Sequence, residues 1–144
     1  MSFAPVAELV PHEPPMVLLD EVTGFDGTTA RCRVAIRPES LFVASGRVRA
    51  VVALEYMAQC VAVCASLRSR ARGEPAGQEG YLVGARDVTL GAACFEVGDE
   101  LDVEATLEFD GRELGSFACA VLRAGERVAS GVLNVYRQRP EGGG

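Results

Sequence analysis

The spacing of apolar and polar positions changes character twice along the chain. MVLLDEVTGFDG, residues 16–27, reads as a strand closing on a glycine-containing turn. TTARCRVAIRP, residues 28–38, alternates polar and apolar residues with the period of a half-buried strand. Together they predict an early antiparallel pair. LFVASGRVR, residues 41–49, has neither period and predicts a loop. From Ala50 to Leu67 the chain reads AVVALEYMAQCVAVCASL, alanine-rich and apolar nearly all round, the pattern of a buried helix. Arg68, Arg70 and Arg72 suit the negative end of its dipole, and Gly73 and Pro75 stop it. Four strand-like runs follow: EGYLVGARDVTL, ELDVEATLEF, GSFACAVLRA and RVASGVLNVYR. Turn signals at Gly98-Asp99, Asp110-Gly111 and Ala124-Gly125 separate the later ones into consecutive antiparallel strands. Two strands, one apolar helix and four more strands predict an α+β domain, a curved antiparallel sheet wrapped around a long central helix. The expected domain runs over residues 1–139, with the PEGGG end, residues 140–144, as a disordered tail.

Composition narrows the setting. A chain of 144 residues fits one domain with one core. Its net charge of -6 argues against nucleic acid as a partner. Every positive side chain is arginine, which reads as compositional bias, since lysine serves equally well on most solvated faces. No window reaches the roughly eighteen uninterrupted apolar residues of a membrane span. The start, MSFAPVAELVPHEPP, lacks the basic and long apolar segments of a secretion signal. A cytoplasmic protein without membrane contact is expected. The five cysteines, Cys32, Cys60, Cys64, Cys94 and Cys119, form no CxxC pair and sit among apolar neighbours. They read as reduced core residues, in preference to a zinc site built from Cys60, Cys64 and His12. No metal and no cofactor is expected.

Two positions ask for a chemical explanation. His12 is the only histidine in the chain and stands at the head of PHEPPMVLLDEV. Glu55 and Gln59 lie four residues apart on one face of the apolar helix, where a buried carboxylate is costly unless it is paired or neutral. One account is structural: Glu55 bonds Gln59 or a backbone group, or faces solvent at the edge of the sheet. The other is catalytic.

These same segments carry a resemblance. PHEPPMVLLDEV aligns without gaps on the PHRYPFLLVDRV-type segment of the β-hydroxyacyl-(acyl carrier protein) dehydratases, agreeing at Pro11, His12, Pro15, Leu18, Asp20 and Val22. LEYMAQ, Leu54 to Gln59, resembles the VEAMAQ segment of their central helix, and the element order fits their hotdog fold. With the closing LNVY, the chain is most similar to the hotdog dehydratases of aryl-polyene and related clusters. The resemblance implies a catalytic histidine at His12 and a catalytic carboxylate at Glu55, contributed by different subunits of a dimer. Removing water from a 3-hydroxyacyl thioester asks for a base at C2 and an acid at C3. Histidine, which titrates near neutral pH, suits the first, and a carboxyl kept neutral by burial suits the second. Backbone N–H groups at the helix start, around Val51, are candidates to stabilise the enolate oxygen. Tyr56 and Gln59 are the candidate substrate contacts, with core packing as the alternative for Tyr56. The chain departs from the family before the helix: SLFVASGRVRAVVALE replaces the HFP-containing loop, and Arg49 and Ala50 stand where a Pro-Gly step is usual.

The resemblance also implies a substrate held on acyl carrier protein or CoA. An acidic carrier needs a local basic patch, for which Arg47 and Arg49 are the first candidates and Arg68, Arg70 and Arg72 the second. A homodimer, or a higher oligomer of dimers, is the expected assembly, and a heterodimer fits the altered loop. Two rival functions stay open at this point. One is a hotdog thioesterase, which leaves the His12 motif without a role. The other is a non-catalytic, acyl-binding partner subunit of a dehydratase heterodimer.

Overall fold

The structure, a computed structural model, describes residues 3–73, 80–111 and 113–137. The tail and Pro75 lie outside the described residues. A short helix α1 (Val6–Leu9) leads into the His12 loop. Strands β1 (Glu21–Phe25), β2 (Thr29–Ala35) and β3 (Arg47–Arg49) precede a 3-10 turn at Ala50–Val52 and helix α2 (Ala53–Ala71). Then come β4 (Gly80–Leu90), β5 (Cys94–Glu96), β6 (Glu100–Asp110), β7 (Leu114–Arg123) and β8 (Glu126–Arg137). Six strands form one antiparallel sheet in the order β1-β2-β6-β7-β8-β4, and β3 pairs with β5 beside it. This is the expected α+β hotdog arrangement, the sheet packed on a long central helix.

Alternation decides which side chains meet the helix. Ala30, Cys32 and Val34 of β2, Leu101, Val103 and Ala105 of β6, and Phe117, Cys119 and Val121 of β7 are buried, each two residues from the next. They pack with Ala53, Met57, Cys60 and Cys64, which recur at helical spacing along α2. The Cys60 thiol lies 3.5 Å from the Ala30 and Val103 carbonyls and 3.9 Å from Cys32 Sγ. Four of the five cysteines are buried and all are free, and no cluster of metal-ligating side chains occurs among the described residues. The segment Ala50–Ala71 is long and apolar enough to cross a membrane by length and composition. In this fold it is the core helix, and the opposite flank, Leu54, Ala58, Ala62 and Ala65, is only half-buried.

Two elements differ from the sequence reading. The first strand begins at Glu21 rather than Met16, because the backbone of Met16 and Leu18 is bonded to the Gln59 side chain instead of to a neighbouring strand. The segment expected to be all loop contains β3, three residues held by β5. The helix ends at Ala71, within the arginine-rich segment expected to close it, and Arg68 holds this end by donating to the Gly27 carbonyl and pairing with Asp110 at 3.5 Å. Gly73, at φ +70, follows the helix end as expected of a left-handed stop.

Candidate active site

Helix α2 enters through the 3-10 turn, which places Glu55 in its first turn, where the helix dipole favours a carboxylate. The His12 loop passes over this turn. Its two ends are fixed by local chemistry: α1 buries Val6 and Leu9, and Asp20 anchors the far end by accepting from the Ala35 N–H at 2.6 Å and from Arg37 at 2.9 Å. Between them, His12 Nε2 lies 2.9 Å from Glu55 Oε1. The two candidate catalytic groups therefore meet within one chain. This corrects the expectation that they come from different subunits: the loop ahead of β1 folds back on its own helix.

Glu55 itself is not buried. Its side chain is 36% exposed and that of His12 is 27% exposed, which corrects the expectation of a buried carboxyl. The helix pattern suggested burial because the flank bearing Glu55 is apolar, but the sheet covers only the other side. Oε1 takes a second hydrogen bond, from Gln59 Nε2 at 3.2 Å. Among the described residues Oε2 has no partner, and His12 Nδ1 is buried without one.

Gln59 is the residue whose role the sequence reading missed. It was expected to touch substrate, but it is fully buried, and its amide is committed at both ends. Oε1 accepts from the Leu18 N–H at 2.8 Å, and Nε2 donates to the Met16 carbonyl at 2.7 Å as well as to Glu55. It binds protein rather than ligand. The four-residue spacing from Glu55 gave half of this arrangement; the other half, a bond across 41 residues of chain, leaves no local signal.

Tyr56 is packed in the core and also faces a cavity. It is 3% exposed and its ring lies 6.3 Å from that of Phe95. It also lines a cavity of about 170 Å³ whose other walls include Pro15, Val17 and Leu18 of the His12 loop and Ile36 and Leu41. Burial, and secondarily the nearby Asp20 charge, pushes its phenol up to about 12. Val51 lies in the 3-10 turn and is 54% exposed, between buried Ala50 and half-buried Val52. The N–H of Ala50 is taken by the Ala93 carbonyl at 3.1 Å. Arg47 and Arg49 are exposed on β3, but Arg47 faces Glu96 at 3.7 Å, which offsets its charge. Arg68 and Arg72 are paired with Asp110, which removes them from a free basic patch.

A sheet wrapped on a long helix that presents a braced carboxylate in its first turn, beside a histidine loop, is the architecture of a hotdog-fold protein. The family model of the ApeP dehydratases, described as ApeP-like, matches residues 4–142, and the chain belongs to that family. It is similar to a chain of the dehydratase heterocomplex ApeI:P from Xenorhabdus doucetiae, with 30% identity over 95% of this chain and 93% of that one and a TM-score of 0.89. A homologue of HP0420 from Helicobacter felis shares the fold at 16% identity, covering 97% of this chain and 94% of that one with a TM-score of 0.71. So does a hypothetical thioesterase from Streptococcus pneumoniae, solved with coenzyme A, at 11% identity, 82% and 84% coverage and a TM-score of 0.63. No curated protein matches the chain. The chain is thus a dehydratase of hotdog type, and the thioesterase likeness shows the fold alone.

Proposed function

We propose that the chain dehydrates a 3-hydroxyacyl thioester to the trans-2-enoyl thioester in cytoplasmic polyene-type or fatty-acid biosynthesis, the acyl group arriving on acyl carrier protein or CoA. The observation that supports this reading is the single free oxygen of Glu55. With Oε1 held by His12 and Gln59, Oε2 is the atom left to face a substrate. In its acid form Glu55 gives a proton from Oε2 to the C3 hydroxyl, which departs as water. A base takes the C2 proton, the C2–H electron pair becomes the double bond, and Glu55 remains as a carboxylate stabilised through Oε1.

His12 Nε2 is engaged with Glu55, and the chain has no second histidine. We assign His12 to holding and re-protonating Glu55, and the C2 base to a partner subunit of the same fold. The heterocomplex named for the similar Xenorhabdus protein supports a partner of this kind. The Val51 N–H stays the candidate donor to the enolate oxygen, and Arg49, with Arg47 behind it, the candidate contact for an acidic carrier.

The test is mass spectrometry of a 3-hydroxyacyl carrier protein after incubation with the chain, alone and with its partner subunit. Loss of one water, abolished by Glu55→Gln, is the expected result. Loss of the whole acyl group indicates a thioesterase, and no change under either condition indicates a binding subunit; both outcomes overturn the proposal.

A further inference from the structure

Gln59 joins three things that a dehydratase must keep in register. Its Nε2 holds the reacting carboxyl through Oε1, and the same amide clamps the Met16 carbonyl and the Leu18 N–H. Those two residues belong to the loop that carries His12 at one end and supplies Pro15, Val17 and Leu18 to the cavity beside Tyr56. A fully buried amide has two N–H donors and one carbonyl, and here every one of them is spent on this junction. Helix α2 and the His12 loop are 41 residues apart in sequence at this point, and no strand pairing joins them.

We infer that Gln59 is a positioning residue: it fixes which oxygen of Glu55 is free to react and locks the cavity wall to that oxygen. The inference rests on the dehydratase reading above. Without the amide, Glu55 keeps only His12 as a partner, both of its oxygens become interchangeable by rotation, and the Met16–Leu18 strap loses its tie to the helix. Misplacing a reacting group by about 1 Å costs on the order of a hundredfold in rate.

Two variants test this in the active assembly, the chain together with whatever partner subunit it requires. Gln59→Leu removes all three bonds at nearly constant volume, and kcat is expected to fall about a hundredfold. Gln59→Glu keeps the Leu18 bond but sets a second carboxyl against Glu55, and two carboxyls in contact share one proton at low pH and repel when both ionise. Repulsion between the two carboxylates holds the shared proton to higher pH, so the acid form that reacts persists further and the alkaline limb of the rate profile is expected to move toward alkali. A purely structural glutamine lowers the melting temperature in both variants and leaves the profile unmoved. Should Gln59→Leu fail to fold, the one-atom change in Gln59→Glu still carries the test.

A second readout is independent of turnover. His12 is the only histidine, so nitrogen NMR of the imidazole reports its contact with Glu55 without assignment. Glu55→Ala fixes the signal of the broken contact, and Gln59→Leu is expected to shift the Nε2 resonance toward it. If wild type dehydrates nothing while the resonance shifts, the function fails and the positioning stands. A wild-type rate profile in Gln59→Glu together with an unmoved resonance in Gln59→Leu overturns the inference.

Discussion

His12 Nε2 and Glu55 Oε1 stand 2.9 Å apart inside a single chain, although 43 residues separate them in sequence. The contact makes the pair a property of the monomer. Mixing His12→Ala with Glu55→Gln chains under conditions of subunit exchange should therefore restore no activity, because every site still carries one lesion. A pair shared across a twofold axis predicts about a quarter of wild-type activity, since about half the dimers are mixed and half their sites intact. Recovery of that size would refute the intrachain pair.

The role of His12 is separable from that of Glu55. If His12 serves Glu55 through Nε2, then His12→Gln, which offers an amide donor to the same oxygen, should retain about tenfold more activity than His12→Ala. A proton-abstracting histidine has no such substitute, and both variants would then fall equally, by about two to four orders of magnitude. Steady-state rates of the two folded variants decide between these roles.

Protonation of the core sets an alkaline limit to stability. Desolvation raises the Cys64 thiol from 9.0 to about 11 and the Cys119 thiol from 9.0 to about 12, and it also raises Tyr56 from 10.0 to about 12. Contact with Cys32 and burial raise Cys60 as well. In each case the folded group stays neutral where the unfolded one ionises, so its contribution is complete below about pH 9 and is lost as pH rises from 9 toward 12. The melting temperature should be flat from pH 7 to 9 and fall steeply above it. At pH 8 an alkylating reagent should modify Cys94 in the native chain, and all five cysteines only after denaturation. A melting temperature that stays level through pH 11 contradicts the buried, neutral core.

The long elements were legible because they are long. Alternation over β6, β7 and β8 and the apolar run of α2 each repeat their period often enough to fix both the element and its inner face. β3 and β5, with three residues each, cannot show a period, so their pairing was invisible. Met16–Leu18 read as strand because its composition is that of one; a side chain from α2 took the backbone bonds that would have extended β1. Glu55 and His12 were identifiable as candidates, but not their meeting within one chain, since nothing local records a contact across 43 residues. The expected burial of Glu55 failed for a related reason. An apolar stripe looks the same whether its own sheet covers it or another subunit does.

The β7–β8 hairpin turns at Ala124 and Gly125, both with positive φ, +52° and +79°. This is the backbone of a two-residue turn that suits Asn-Gly, and alanine pays a steric cost at the first position. Ala124→Asn should therefore raise stability by about 0.5–1 kcal/mol, read as a higher melting temperature with unchanged activity. A lower melting temperature would show that the turn conformation differs.

The half-buried flank of α2 bears on assembly. Leu54, Ala58, Ala62 and Ala65 line that side of the helix, and Glu55 shares its first turn with Leu54. The edge strand β4 leaves Ala85 to Leu90 exposed, with Val88 and Leu90 among the exposed large apolar residues. A half-buried apolar flank and an unpaired sheet edge are surfaces that a subunit of the same fold would cover. Ala62→Arg introduces a charged, bulky side chain at the middle of the flank, at a half-buried position on the margin of the core. The variant should keep its circular dichroism spectrum, since a long arginine side chain at a half-buried position can turn out to solvent, while losing association with its partner in sedimentation experiments. Activity should fall with it, because the proposed C2 base arrives from the partner. If Ala62→Arg folds, associates as wild type does and retains its rate, the partner sits elsewhere, and this flank is not the interface that completes the site.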